Sequence, residues 1–165
     1  MVMLRNIKCN LISFLISISL QMFSSSYAHE IDLKEISIKH PMIPIFHSKM
    51  ITAAGYFTIV NKRNKTDELI MVKTDFAKAM MHLSKIDENG IVSMEHVNKV
   101  IIPGNSSVVF EQGSLHIMFT QLKEPLEEYM DQKVTLVFKN LGEIVVDFQV
   151  EKVTQKMNMK NNHDH

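Results

Sequence analysis

Lys133–Val150 reads KVTLVFKNLGEIVVDFQV. In its first half Val134, Leu136 and Phe138 take every second position, and in its second half Ile144, Val146, Phe148 and Val150 do the same. Successive side chains on a strand point to opposite faces, so each set shares one face and asks for a core there. Between them, Gly142 supplies a residue that can turn the chain without a Cβ penalty. The segment is predicted to be an antiparallel hairpin with one buried face.

The same period of two recurs from Ile31 onward, and no long stretch holds apolar residues at helical spacing. Strands are expected at Leu33–Lys39, Ala53–Asn61, Glu68–Thr74, Ala79–Ile86, Ile91–Val97, Ser106–Glu111, Leu115–Leu122, Lys133–Lys139 and Glu143–Val150. Gly90, Gly104, Gly113 and Gly142 fall between runs, and Gly55 alone falls inside one. Short strands at this spacing predict an all-β sandwich or barrel. From Leu122 to Asp131 the chain is expected to form a short helical turn or an ordered loop. There is no internal repeat.

Length allows one domain with a real core. The chain has 165 residues, 18 basic and 18 acidic side chains and no Trp. Balanced charge removes the basic-faced nucleic-acid binder and the acidic disordered chain from consideration. The composition is unusual in sulfur and imidazole, with 13 Met and 8 His against a single Cys.

Residues 1–28 have the parts of a cleavable secretory signal: Arg5 and Lys8, an apolar run from Leu11 to Leu20, then small residues ending at Ala28. The run is about ten residues, short of the ~20 that a spanning helix needs. A lipid anchor would need a Cys just after this run, and Cys9 lies before it. Cleavage after Ala28 leaves 16 basic and 18 acidic residues, ten Met, all eight His and no thiol. An exported, periplasmic domain over 29–153 must then be held by its core rather than by disulfides. The stretch 154–165 loses the apolar pattern and reads as a flexible Met- and His-rich tail.

The strand Leu115–Leu122 presents Leu115, Ile117 and Phe119 on one face and His116 with Met118 on the other. His82 and Met94 lie on the two strands before it. A two-residue turn at Asn89-Gly90 would send His82 and Met94 to opposite faces. A three-residue loop Glu88-Asn89-Gly90, with Gly90 left-handed, pairs 82 with 96 and 84 with 94, so both face one way. The second is predicted, and it also makes His96 a cross-strand neighbour of His82. Singly, a His on a strand or a Met is more often a packing residue than a ligand. Jointly, two imidazoles and two thioethers form a soft, neutral donor set suited to Cu(I).

The spacing His82, Met94, His116, Met118 resembles the signature of the periplasmic copper chaperone family called PCuAC. The resemblance runs from about Ile36 to Val150. It is carried further by Thr52-Ala53-Ala54-Gly55-Tyr56-Phe57 with Asn61, by Asp67, Leu69 and Ala77, by Gly113–Met118, and by Leu122-Lys123-Glu124-Pro125-Leu126. The chain departs from the family pattern around His40, where an aromatic is usual, at Glu95-His96, where a basic residue and Pro are common, and at Gln112-Gly113-Ser114, where Pro-Gly-Gly is usual.

The resemblance implies a cupredoxin-like Greek-key β-sandwich of about nine short strands. It implies a non-enzymatic, monomeric chaperone that binds Cu(I) through a Met2His2 site and hands it to a copper-accepting protein, such as the CuA subunit of cytochrome c oxidase or another copper chaperone. Four neutral donors leave the ion's charge in place, and without a Cys the blue-copper electron-transfer arrangement is excluded. His96, Met157, Met159, His163 and His165 are auxiliary candidates, with Cu(II) expected at the tail if it binds there. His29, as a first residue, is a weaker chelator because Ile31 stands where the common amino-terminal motif has His. Two other classes compete: a zinc or copper enzyme, which would need an acid or base beside an open metal position, and an exported adhesion or assembly module with structural Met and His. Glu95 is next to Met94 but is predicted to point the other way.

Overall fold

The computed structural model describes residues 31–33, 35–47 and 49–153. The signal segment 1–28, His29 and the tail with Met157, Met159, His163 and His165 lie outside the described residues. Eleven strands run in chain order: β1 (Ile31–Asp32), β2 (Ile36–Ile45), β3 (Thr52–Asn61), β4 (Asp67–Thr74), β5 (Lys78–Ile86), β6 (Val92–His96), β7 (Val100–Ile102), β8 (Ser106–Phe110), β9 (Leu115–Thr120), β10 (Asp131–Phe138) and β11 (Gly142–Lys152). They form a curled sheet ordered β6-β5-β9-β3-β2-β11-β10-β4-β7, with β1 added to β2 and β8 to β3. Every pairing is antiparallel except β2 with β11. The architecture is the expected cupredoxin-like β-sandwich.

The β10–β11 hairpin pairs Val134 with Val146 and Leu136 with Ile144. These four residues and Phe138, Phe148 and Val150 are all buried, so the alternation in the sequence is the alternation of burial. The aromatic centre of the core joins distant strands: Phe57 stacks on Phe110 at 4.3 Å and meets Phe148 edge-on at 5.3 Å. Such contacts add to the area term that dominates burial of large rings.

β3 holds the two sides of the curl together. Its first residues, Thr52–Gly55, pair with β9, and Phe57–Asn61 pair with β8. Gly55 stands at the changeover. A Cβ there would come within 2.7 Å of the Phe119 ring and 3.2 Å of the Phe148 ring, so glycine is required by close approach and not by a turn.

Two points need correction. The strand read as ending at Lys39 continues to Ile45. Pro41 and Pro44 argue locally against a strand, but a bulge between Lys39 and Met42, with His40 at φ 50°, absorbs Pro41 and lets Ile43 and Ile45 rejoin the core. β1 and β7 were not foreseen, because runs of two and three residues carry too little alternation to be read. Of the two forms expected between Leu122 and Asp131, the ordered loop is the one observed, pinned by buried Leu126 and by bonds exchanged with Val150.

Two buried polar residues brace the loops. The Asn61 amide donates to the carbonyls of Lys65, Ile102 and Pro103, and its oxygen accepts from the Arg63 N–H. The Asp67 carboxylate accepts from the Glu68 and Asn140 backbone, the Asn140 side chain and Arg63. Both residues are parts of the scaffold.

Candidate metal centre

The β5–β6 loop sets the register of the centre. Asp87 N–H donates to the Ile91 carbonyl at 3.1 Å and Gly90 N–H donates to the Asp87 carbonyl at 3.0 Å. Gly90 has φ +78°, the left-handed conformation that a glycine adopts without strain. The turn is therefore Glu88-Asn89-Gly90, and β5 pairs with β6 as His82 to His96 and Ser84 to Met94. The Asp87 carboxylate tightens it by accepting from the Asn89 and Ile91 N–H groups at 2.9 and 2.8 Å.

β9 joins the other side of β5, with His82 opposite His116 and Met80 opposite Met118. Because the side chains alternate, Met80, His82, Ser84, Met94, His96, His116 and Met118 share one face of this three-stranded piece. The opposite face carries Met81, Ile117 and Phe119 into the core. Glu95 is also on that side of β6 and pairs with Lys85, away from the imidazoles as expected.

His116 is only 6% exposed. Its Nδ1 lies 3.0 Å from the Ser114 carbonyl oxygen; a carbonyl only accepts, so Nδ1 holds the proton and Nε2 keeps its lone pair. His82 lies between two other imidazoles, with ring centroids 6.0 Å from His116 and 5.6 Å from His96. Burial, chiefly, and then the neighbouring His116 and His96 hold its pKa below the ordinary imidazole value. The Met80 carbonyl opposes this shift but does not close a hydrogen bond of ordinary geometry, and His82 Nδ1 is buried with no partner among the described residues. A neutral imidazole with a buried ring nitrogen that has no hydrogen-bond partner among the described residues is open to a metal.

Beside these rings opens an apolar pocket of about 420 Å³ whose lining includes His116, Met118, Met94, Met42 and Met50. A small residue helps to make the room: Ala54, on the pocket wall, is directly opposite Met118. Tyr56 on the wall has its phenol pKa raised by burial, which keeps it uncharged. Among the described residues no group of three or more His, Cys, Asp or Glu is close enough to hold a metal. A position here with three or more protein donors would therefore include sulfur.

His116, Met118 and Met94 thus meet at one pocket, and His82 touches it through His116. Met94 is 59% exposed on the outermost strand. Three thioethers were missed in the sequence. Met80 was readable, two residues before His82 on the same strand face. Met42 and Met50 arrive across the curl, where no local period points to them.

Residues 36–150 match the family described as "Putative lipoprotein LpqE-like". The chain belongs to this PCuAC-type family. The chain is 30% identical over 103 residues to the protein RP573 of Rickettsia prowazekii, a match covering 62% of this chain and 57% of that relative. The chain thus matches somewhat more than half the length of that curated relative. Among solved structures, the copper-bound PCuAC domain from PmoF2 is similar with TM-score 0.62 and 25% identity, covering 76% of this chain and 99% of that one. The apo PCuAC domain from PmoF1 gives TM-score 0.65 at 24% identity, over 76% and 100%. The CuI form of DR1885 from Deinococcus radiodurans gives TM-score 0.58 at 20% identity, over 80% and 85%.

Proposed function

We propose that this chain is a periplasmic copper chaperone that binds Cu(I) through His82, Met94, His116 and Met118 and passes it to a copper-accepting protein. The observation that carries the reading is the β5–β9 register, which sets His82 against His116 while Met118 and Met94 open onto the adjoining apolar pocket. The related PmoF2 domain is described as copper-bound and DR1885 as CuI.

The chemistry suits a carrier. Two thioethers and two neutral imidazoles are soft donors that prefer Cu(I), and none is a thiolate that would neutralise the ion and retain it. The fixed Nδ1–H of His116 leaves one nitrogen free, and the depressed pKa of His82 means that little proton release is needed for binding near neutral pH. Glu95, next to Met94 in the sequence, faces away from the four donors and pairs with Lys85.

Further parts of the reading concern partners and place. The acceptor is a protein with a copper site of its own, the CuA subunit of cytochrome c oxidase or another copper chaperone, and the chaperone acts as a monomer. The signal pattern at 1–28 supports export, the position of Cys9 argues for a cleaved rather than lipid-anchored form, and among the described residues no helix is long and apolar enough to cross a membrane. Met157, Met159, His163 and His165 gather copper, Cu(II) included, for the folded site.

The test is competition for Cu(I) against a calibrated chelator, run beside single variants at the four ligand positions. One ion per chain with weakened binding in each variant supports the reading. An X-ray absorption spectrum of the loaded protein without sulfur scattering would overturn it.

A further inference from the structure

We propose that His82 and His96 form a second metal position, for a divalent imidazole-preferring ion such as Cu(II), that shares His82 with the thioether pocket. The two residues are direct partners across β5 and β6. The Val97 N–H donates to the Met81 carbonyl at 2.9 Å beside them, which makes theirs a non-hydrogen-bonded pair, the kind in which facing side chains lie closer.

The separation fits chelation. Imidazole nitrogens each about 2.0–2.1 Å from one ion put ring centroids roughly 5–5.5 Å apart at a tetrahedral angle and about 4.5 Å apart at the right angle of tetragonal Cu(II). His82 and His96 are 5.6 Å apart with planes at 67°, so side-chain rotation has to draw the rings about an ångström closer for cis donors on tetragonal Cu(II). His82 brings the buried Nδ1 that lacks a hydrogen-bond partner.

The surroundings distinguish this position from the first. His96 does not line the large pocket; it borders a cavity of about 200 Å³ on which Met80, Val97 and Asn98 also open. His82 lines neither cavity itself; on β5 it stands between His116, which borders the first, and His96, which borders the second. The first is dominated by sulfur and favours the monovalent ion. At the second the thioethers Met71, Met80 and Met81 are also present, but His96 is exposed, so solvent can complete the coordination shell that a divalent ion requires, and Cu(II) stands highest among the first-row divalent ions for a pair of imidazoles. One His82 nitrogen set cannot serve both at full strength, so the two ions compete. The pair does not depend on Cu(I) binding at the pocket.

The experiment adds Cu(II) below one equivalent to the exported full chain carrying His163→Ala and His165→Ala, and follows ring resonances by NMR and nitrogen splitting by EPR. His82 and His96 signals should broaden first, with two coupled nitrogens. His96→Ala in this background should lower Cu(II) affinity about tenfold or more while Cu(I) affinity, measured by chelator competition, changes by less than about twofold. Unbroadened His82 and His96 signals, an unchanged Cu(II) affinity in His96→Ala, or an equal loss for both ions would overturn the second position. Failure of the unsubstituted chain to bind Cu(I) would instead overturn the chaperone reading and leave this one standing.

Discussion

His82 on β5 and His116 on β9 are direct cross-strand partners whose rings stack with centroids 6.0 Å apart, although 34 positions separate them in the chain. Their proximity is a product of sheet register alone. Substitution of His116 by Ala should weaken Cu(I) binding by more than the ~10–100-fold that loss of an outer-shell partner costs a metal site. Chelator competition measures this, with circular dichroism to confirm the strand signal. Unchanged affinity would remove His116 from the ligand set.

Met94→Leu separates ligation from packing. At 59% exposure the side chain contributes little to the core, so urea denaturation of the metal-free protein should shift by no more than about 0.5 kcal/mol. Cu(I) affinity should fall. An affinity equal to that of the unsubstituted chain would show that the fourth donor is another group.

The lowered pKa of His82 gives stability a pH dependence of known sign. Between its folded-state pKa and the ordinary 6.5 the unfolded chain binds more protons than the folded one, so stability rises with pH across that window. The contribution is complete above about pH 6.5 and is lost as pH falls through the folded value. Urea midpoints of the metal-free protein from pH 5 to about 7.5 should show this slope, and His82→Gln should flatten part of it. A variant with the same slope would contradict the assignment.

Gly55→Ala should destabilise by about 1–3 kcal/mol, the usual cost of forcing an extra carbon into a filled core. The added Cβ meets the Phe119 ring at 2.7 Å, and Phe119 belongs to the strand that carries His116 and Met118. A denaturation midpoint unaltered by the substitution would mean that the ring moves aside freely.

Asp67→Ala should cost about 3 kcal/mol or more. It leaves Arg63 without its carboxylate and Asn140 and the Glu68 N–H without an acceptor. Cu(I) affinity in the folded fraction should be preserved, because none of these groups borders the metal pocket. A parallel loss of both properties would argue that β4 positions the site.

How much of this was legible in the sequence varied with the range of the force involved. The β10–β11 hairpin was readable because burial on one face writes itself as a period of two. The β5–β6 register was readable because only one loop length lets Gly90 turn and keeps His82 and Met94 together, although the help from the Asp87 side chain was not seen. The second half of β2 was hidden by Pro41 and Pro44, whose local preference is overridden by pairing with β3 and β11. Met42 entered the pocket unseen for the same reason: it is fixed opposite Tyr56 by a partner strand, and no neighbour in the chain announces that. Asn61 and Asp67, conspicuous as letters, turned out to tie loops together.

β6 is the last strand of the sheet, and all five of its residues are exposed. Peeling such a margin away breaks one ladder and leaves the hydrophobic interior untouched, so it is among the cheapest motions open to the fold. A sulfur mounted at Met94 would ride on that loose border while His116 stays anchored inside. Unloading could then begin by lifting a single finger, with the palm of the hand never opening.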